Sequence, residues 1–187
     1  MQTIIVLAMH GAPPNDFPQR EIAEWFGLHA RLEHAAGAER TALERRHAEL
    51  DAKMREWPRT AQNDPFYTGS QELTAHLSHA TGREVILGFN EFCAPSLDDA
   101  LDQAIAQEAE QVLVITPMMT RGGEHAEADI PAAIQRARER HPKTPIVYAW
   151  PFEASKVAQF LAVQVAQLSR DHASKIEGAT CPNPSSL

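Results

Sequence analysis

The sequence predicts an α/β fold built on a four-stranded parallel sheet, with an inserted helical hairpin. Two observations predict it. Apolar runs at residues 4–9, 84–89, 111–116 and 145–150 have the length and aliphatic content of buried strands. Helical patterns at 71–81, 97–109, 130–140 and 156–170 separate and follow them. Strands alternating with helices of this length build βαβ units with right-handed crossovers.

Each element carries its own signal. The first run, Ile4-Ile5-Val6-Leu7-Ala8-Met9, ends directly in His10-Gly11. The stretch from there to residue 71 is too long for one crossover. Residues 19–57 within it read as a helical hairpin broken near Gly37. Trp25, Leu28 and Leu32 form an apolar stripe on its first arm, and Leu43, Leu50, Met54 and Trp57 form one on its second. Apolar stripes are usually interfaces, so the hairpin is expected to pack on its own domain or to dimerise rather than to act as a lid. Ser96 precedes Leu97-Asp98-Asp99, a cap followed by acids in the first helical turn. Asp129 is expected to cap the next helix, with Pro131 in its first turn, in preference to the other reading its spacing allows, orienting His125 four residues before it, and Ser155 is expected to cap the last helix. Beyond Arg170 the periodicity is lost. Residues 1–170 therefore read as one domain and 171–187 as a flexible tail.

Bulk properties narrow the function classes. A chain of 187 residues is long enough for one domain with a substantial core. Its formal net charge of −8 argues against a nucleic-acid partner, which needs a basic face. Cys93 and Cys181 are far apart and form no CxxC pair, which argues against a disulfide framework, a zinc ribbon or a cysteine-held cluster. No basic leader precedes the first apolar run, and no stretch reaches the ~20 apolar residues of a membrane span. A cytoplasmic protein with no membrane partner is the expectation.

The loops after parallel strands emerge at one edge of the sheet, where ligands bind. That rule gathers His10-Gly11 with Asn90-Glu91-Phe92-Cys93, Pro117 through His125, and Pro151-Phe152-Glu153. The convergence offers two histidines, Glu91, Arg121 and the Gly122-Gly123 turn, with Met118, Met119, Phe92 and Trp150 nearby. Paired imidazoles suit a metal ion or a proton, and apolar walls with few polar groups suit a flat organic ligand. Bland readings stand beside these. A histidine after a strand is often structural, Gly122-Gly123 is compatible with a plain tight turn, and Met118 with core filler. Glu124, Glu127 and Asp129 suit a solvated helix start. The coincidence of His10, Glu91 and His125 at three strand ends favours a site. Several chemistries are excluded by their missing motifs. There is no arginine before His10-Gly11, no Gly-x-Ser-x-Gly elbow, no P-loop, no dinucleotide fingerprint and no His-Glu-x-x-His.

Three stretches resemble the class II tetrapyrrole chelatases, in particular the CbiX-type sirohydrochlorin chelatases. Residues 5–11 resemble the opening strand and His-Gly of that family. Residues 85–92 with Pro95-Ser96-Leu97 are similar to its second strand, glutamate and Pro-Ser-Leu. Val112 to Pro117, with Thr120-Arg121-Gly122-Gly123-Glu124-His125 and Asp129-Ile130-Pro131, is similar to its Gly-Gly-x-His…Asp-Ile-Pro signature. The resemblance covers residues 1–14 and about 64–170. The hairpin lies outside it, and Ala12-Pro13-Pro14 departs from the usual His-Gly-Ser-Arg continuation. What the resemblance implies is a chelatase-like three-layer sandwich working as a homodimer. The implied reaction is ATP-independent insertion of cobalt, iron or nickel into sirohydrochlorin or a related tetrapyrrole, in cobalamin or siroheme synthesis. It also implies metal binding and proton removal by His10 and His125, and a ligand or proton-acceptor role for Glu91. Arg121, Gly122, Gly123 and Met118 become substrate contacts, and no cofactor is expected beyond the substrate metal. A metal- or tetrapyrrole-binding carrier without turnover is the alternative.

Overall fold

A computed structural model describes residues 2–32 and 34–179, with side chains as far as residue 169. These residues fall into two compact units that divide between Trp150 and Pro151. The first contains β1 (Thr3–Met9), α1 (Gln19–Leu32), α2 (Gly37–Arg55), α3 (Pro65–Thr81), β2 (Val85–Phe89), α4 (Leu97–Ala106), β3 (Gln111–Ile115), a π-helical turn (His125–Asp129), α5 (Ile130–Arg140) and β4 (Ile146–Tyr148). The second contains α6 (Ala154–Ala179). This helix starts before Ser155, so that residue lies within its first turn and does not cap it. It also runs past the expected end at Arg170. The rest of the predicted tail, 180–187, lies outside the described residues. No helix among the described residues is long and apolar enough to cross a membrane.

The four strands are parallel in the order β2-β1-β3-β4, with Ile5 opposite both Val85 and Leu113. Alternation along β1, the inner strand that carries His10, divides the core. Ile4, Val6 and Ala8 join Leu97, Leu101, Ile130 and Ile134 under α4 and α5. Leu7 and Met9 join Trp25, Leu28, Leu43, Leu50 and Met54 under the hairpin. The result is three layers, with the hairpin forming part of one of them. Both predicted stripes are therefore committed to the protein's own core. The chain turns between the arms at Gly37, whose φ of +57° suits a residue without Cβ.

The structure corrects some boundaries. α3 begins at Pro65, earlier than residue 71, because Asp64 accepts a hydrogen bond from the Tyr67 amide at 2.8 Å and Pro65 occupies the first turn. The fourth strand contracts to three residues at the sheet edge, and α4 stops at Ala106. α4 lies so close to β2 that a Cβ on Gly88 would stand 2.7 Å from Ala100 Cβ. Across the outer layer, Asp98 binds Arg136 and Arg140, and Asp102 binds Arg140 and His141.

A buried ion pair joins the hairpin's exit to α3. Arg59 binds Asp64, which is only 2% exposed, and donates to the carbonyls of Ala12, Met54 and Phe92. Removing one member of such a pair strands the other charge. Arg59→Met is expected to lower the unfolding free energy by roughly 3–5 kcal/mol, measured by urea denaturation. A second prediction concerns pH. Burial works to raise the Asp98 pKa, but its bonds to Arg136 and Arg140 outweigh this and hold it below its ordinary value of 3.8. The resulting stability is present above that ordinary value and is lost as pH falls through the depressed one. The urea midpoint of Asp98→Asn should therefore fall less steeply on acidification below about pH 4 than that of the native chain.

Candidate metal centre

His10 is the first residue past β1, and Glu91 lies in the loop past β2. The adjacent strands bring their ends together, and the ladder continues into the loops. The Asn90 amide donates to the Met9 carbonyl at 2.9 Å and the Glu91 amide to the His10 carbonyl at 3.0 Å. Gly11 is required here. Its φ is +101°, and a Cβ would stand 2.0 Å from the Glu91 carbonyl oxygen. The Glu91 loop is tightly turned, with the Cys93 amide donating to the Glu91 carbonyl at 2.6 Å and Phe92 at φ +61°. That conformation is unusual for a bulky residue and concentrates at functional sites. Cys93 itself is a free, buried thiol whose pKa is pushed up by burial.

His125 arrives from the third strand's loop at the start of the π-helical turn. The Tyr148 hydroxyl braces this turn by donating to the Ala126 carbonyl at 3.1 Å. Such turns are rare and often mark functional positions. Asp129 does not cap α5; instead its Oδ2 lies 2.6 Å from His125 Nδ1. Against an ionised carboxylate, Nδ1 carries the hydrogen, which leaves the His125 Nε2 lone pair available to a cation. The expected cap is thus an orienting group. The i, i+4 spacing permitted this alternative, but only the folded turn selects it.

The three predicted residues meet. His10, Glu91 and His125 each offer a ligand atom, and all three atoms lie within 4.8 Å of one another. The two imidazole centroids are 4.2 Å apart, and His10 Nδ1 is 3.8 Å from Glu91 Oε2. That nitrogen is buried without a hydrogen-bond partner among the described residues, as suits an atom reserved for a ligand. Donors at octahedral or tetrahedral angles on one ion, with bonds of ~2.1 Å, lie ~3.0–3.4 Å apart, so binding draws the three side chains together by up to about 1.5 Å. Two nitrogens and a carboxylate oxygen form a donor set acceptable to divalent cobalt, iron or nickel.

Two hollows flank the three residues. One, of about 330 Å³, has mainly charged and polar walls that include Arg55, Asn90, Asp98, Asp129 and Arg136. The other, of about 420 Å³, is walled by Ala12, Pro13, Trp25, Phe26 and Phe92. His29, Glu91, Glu124 and His125 line both. The sequence reading missed His29 and treated Glu124 as part of a solvated helix start. Nothing in the local pattern of α1 indicates His29, because its position depends on how the hairpin docks. Its ring stacks on Trp25 at 5.3 Å, and His47 lies 4.6 Å from the same indole, with its pKa lowered by burial.

The expected substrate contacts fare differently. The Arg121 guanidinium lies over the Trp150 ring at 5.9 Å and lines neither hollow flanking the candidate metal ligands. The Gly122 amide donates to Glu127 Oε1 at 3.0 Å, and the Gly123 carbonyl accepts from the Glu127 amide at 3.0 Å. Met118 is partly buried against the α4–α5 core, and its carbonyl accepts from Trp150 Nε1 at 3.1 Å.

A parallel α/β sheet with two imidazoles and a carboxylate at its carboxyl edge defines a class of α/β protein with a candidate metal-ligand set. Comparison with known proteins identifies the group. The chain belongs to the CbiX family, whose model matches residues 62–168, more than half of its length. It is 38% identical over 63 residues to a sirohydrochlorin cobaltochelatase of Priestia megaterium, and 31% identical over 64 residues to a sirohydrochlorin ferrochelatase of the same organism. Each match covers 34% of this chain, but only 20% and 24% of the respective relative. Among solved structures, a putative cobalamin biosynthesis CbiX protein from Marinobacter aquaeolei aligns over 91% of this chain and 98% of its own, with 18% identity and a TM-score of 0.49. The chelatase SirB from Bacillus subtilis subspecies spizizenii, in complex with cobalt, aligns over 81% of this chain and 44% of its own, with 18% identity and a TM-score of 0.41.

Two substitutions test the geometry. Gly11→Ala should cost on the order of 3 kcal/mol of stability and weaken cobalt(II) binding, as read by thermal melts and calorimetric titration. Asp129→Asn should fold normally yet bind cobalt(II) roughly 10–100-fold more weakly, because His125 loses its orienting carboxylate.

Proposed function

We propose that this protein inserts a divalent metal ion into sirohydrochlorin or a related tetrapyrrole, without ATP, in the cytoplasm as part of cobalamin or siroheme synthesis. The observation that carries this reading is the meeting of His10, Glu91 and His125 at one sheet edge, with their ligand atoms within 4.8 Å. The names of the partly matching relatives support the same substrate class.

Insertion exchanges two pyrrole N–H protons for one divalent cation. The ion must first give up water to neutral donors, which His10 and His125 supply. Asp129 keeps the His125 hydrogen on Nδ1, so that Nε2 serves as the donor. Glu91 serves as third ligand or as acceptor of a departing proton, and the imidazoles, once relieved of the ion, can take up protons as well. No further cofactor enters this scheme. Arg121 and the Gly123 amide are assigned to the substrate's carboxylates, while the Gly122 amide, committed to Glu127, and Met118, packed against the core, hold the turn beside them. The homodimer expected of short family members belongs to the same reading.

The test is multiple-turnover metallation of sirohydrochlorin, followed by absorbance with cobalt, iron and nickel supplied separately. His10→Ala and His125→Ala should remain folded and lose at least about 100-fold in rate. Undiminished turnover in both variants would sink the proposal. Metallation that stops at one equivalent in the native protein would instead identify a carrier.

A further inference from the structure

We infer that the inserted hairpin supplies a stacking platform for the tetrapyrrole, and that Phe26 is its contact residue. This rests on the metallation reading above. It concerns a part of the chain, α1, that lies outside the stretch matching the family model.

The two hollows beside the metal residues differ in chemistry. In the charged one, Asp98 is already paired with Arg136 and Arg140. The other is walled by Pro13, Trp25, Phe26 and Phe92 and opens beside His10, Glu91 and His125. A conjugated macrocycle presenting its central nitrogens to the metal must lay a broad apolar face against some surface; of the two hollows the second is walled by Trp25, Phe26 and Phe92, whereas the one phenylalanine lining the first, Phe89, is fully buried.

Within that wall Phe26 is distinctive. Its neighbours Trp25 and Leu28 are buried, whereas Phe26 is 51% exposed. Its ring stands nearly perpendicular to Trp25 at 5.1 Å and 6.0 Å from Phe92. An aromatic ring braced on two others, with half its surface open beside a metal-ligand set, is suited to a flat π-system. The wall is also fixed in place. Arg46 grips Glu24 with two bonds of 2.7 and 3.0 Å, and Lys53 binds Glu21 at 2.7 Å, so α1 is tied to α2 along the exposed side while Trp25 and Leu28 anchor the other. Phe26 therefore meets the substrate as a preorganised surface, and its effect falls on macrocycle affinity rather than on metal affinity.

The experiment titrates metal-free sirohydrochlorin into the native protein and into Phe26→Ala and Phe26→Tyr, following fluorescence, with cobalt(II) titrated separately. Phe26→Ala should weaken macrocycle binding about tenfold with cobalt affinity unchanged, and Phe26→Tyr should bind like the native protein. Metallation by Phe26→Ala should show a raised KM for the macrocycle and a nearly native kcat. Native-like macrocycle affinity in Phe26→Ala, or parallel loss of cobalt binding, overturns the inference while leaving the metallation reading standing. A native protein that binds no macrocycle overturns both.

Discussion

The site depends on how two arginines hold the loop after β2. Arg59 binds the buried Asp64 and reaches the carbonyls of Ala12, Met54 and Phe92, thereby joining the first loop, the hairpin's end, the second loop and the cap of α3. One turn earlier, Arg55 donates to the carbonyls of Asn90 and Cys93 at 2.9 and 2.6 Å while bonding Asp51. Between them the two side chains satisfy the carbonyls of a loop whose Phe92 sits at positive φ. A strained backbone persists only where its surroundings over-determine it, and this is the loop that carries Glu91. A guanidinium suits the task because its planar fork serves several acceptors at once and stays charged when buried.

This arrangement gives the hairpin a role beyond covering the sheet. Its apolar stripes fill the layer opposite α4 and α5, its C-terminal arginines fix the loop beside His10, and its first helix forms one wall of the aromatic hollow. The candidate metal ligands thus stand between two environments. On one side are charges already committed to one another across α4 and α5; on the other are aromatic rings on a helix pair joined by the Arg46–Glu24 and Lys53–Glu21 ion pairs. A site built this way separates what a cation requires, neutral nitrogens and a carboxylate, from what a flat organic molecule requires, a broad apolar surface.

Much of the fold was legible in the sequence. The four apolar runs, the hairpin with its break at Gly37, and the Ser96 cap, whose hydroxyl accepts from the Asp99 amide at 3.1 Å, all depend on short-range patterns that packing reinforces. The start of α3 lies earlier than expected although Asn63-Asp64-Pro65 carries a legible cap and first-turn proline, followed by Phe66-Tyr67 in the first turn. Asp129 was misread for a physical reason. A carboxylate ahead of a helix can serve the backbone or a side chain one turn away, and the choice rests on the π-helical geometry of residues 125–129, which no spacing rule specifies. The Gly122 amide likewise bonds to Glu127, a contact that exists only once the turn closes.

The sequence by itself determined the layered α/β architecture and the chemical identity of the three converging residues. Strand periodicity and strand-end position are local, and parallel strands bring their C-terminal ends to one edge whatever the loops contain. Tertiary structure alone decided the rest: that His10 Nδ1 is buried without a hydrogen-bond partner among the described residues, that Asp129 orients His125, and that Arg55 and Arg59 shape the Glu91 loop. It also decided that Phe26 and His29 belong to the cleft. Those contacts join segments distant in the chain and depend on the rotation of α1 about its own axis when it docks. An amphipathic stripe specifies which face is buried, but leaves open which residues at the edge of that face meet a neighbouring loop.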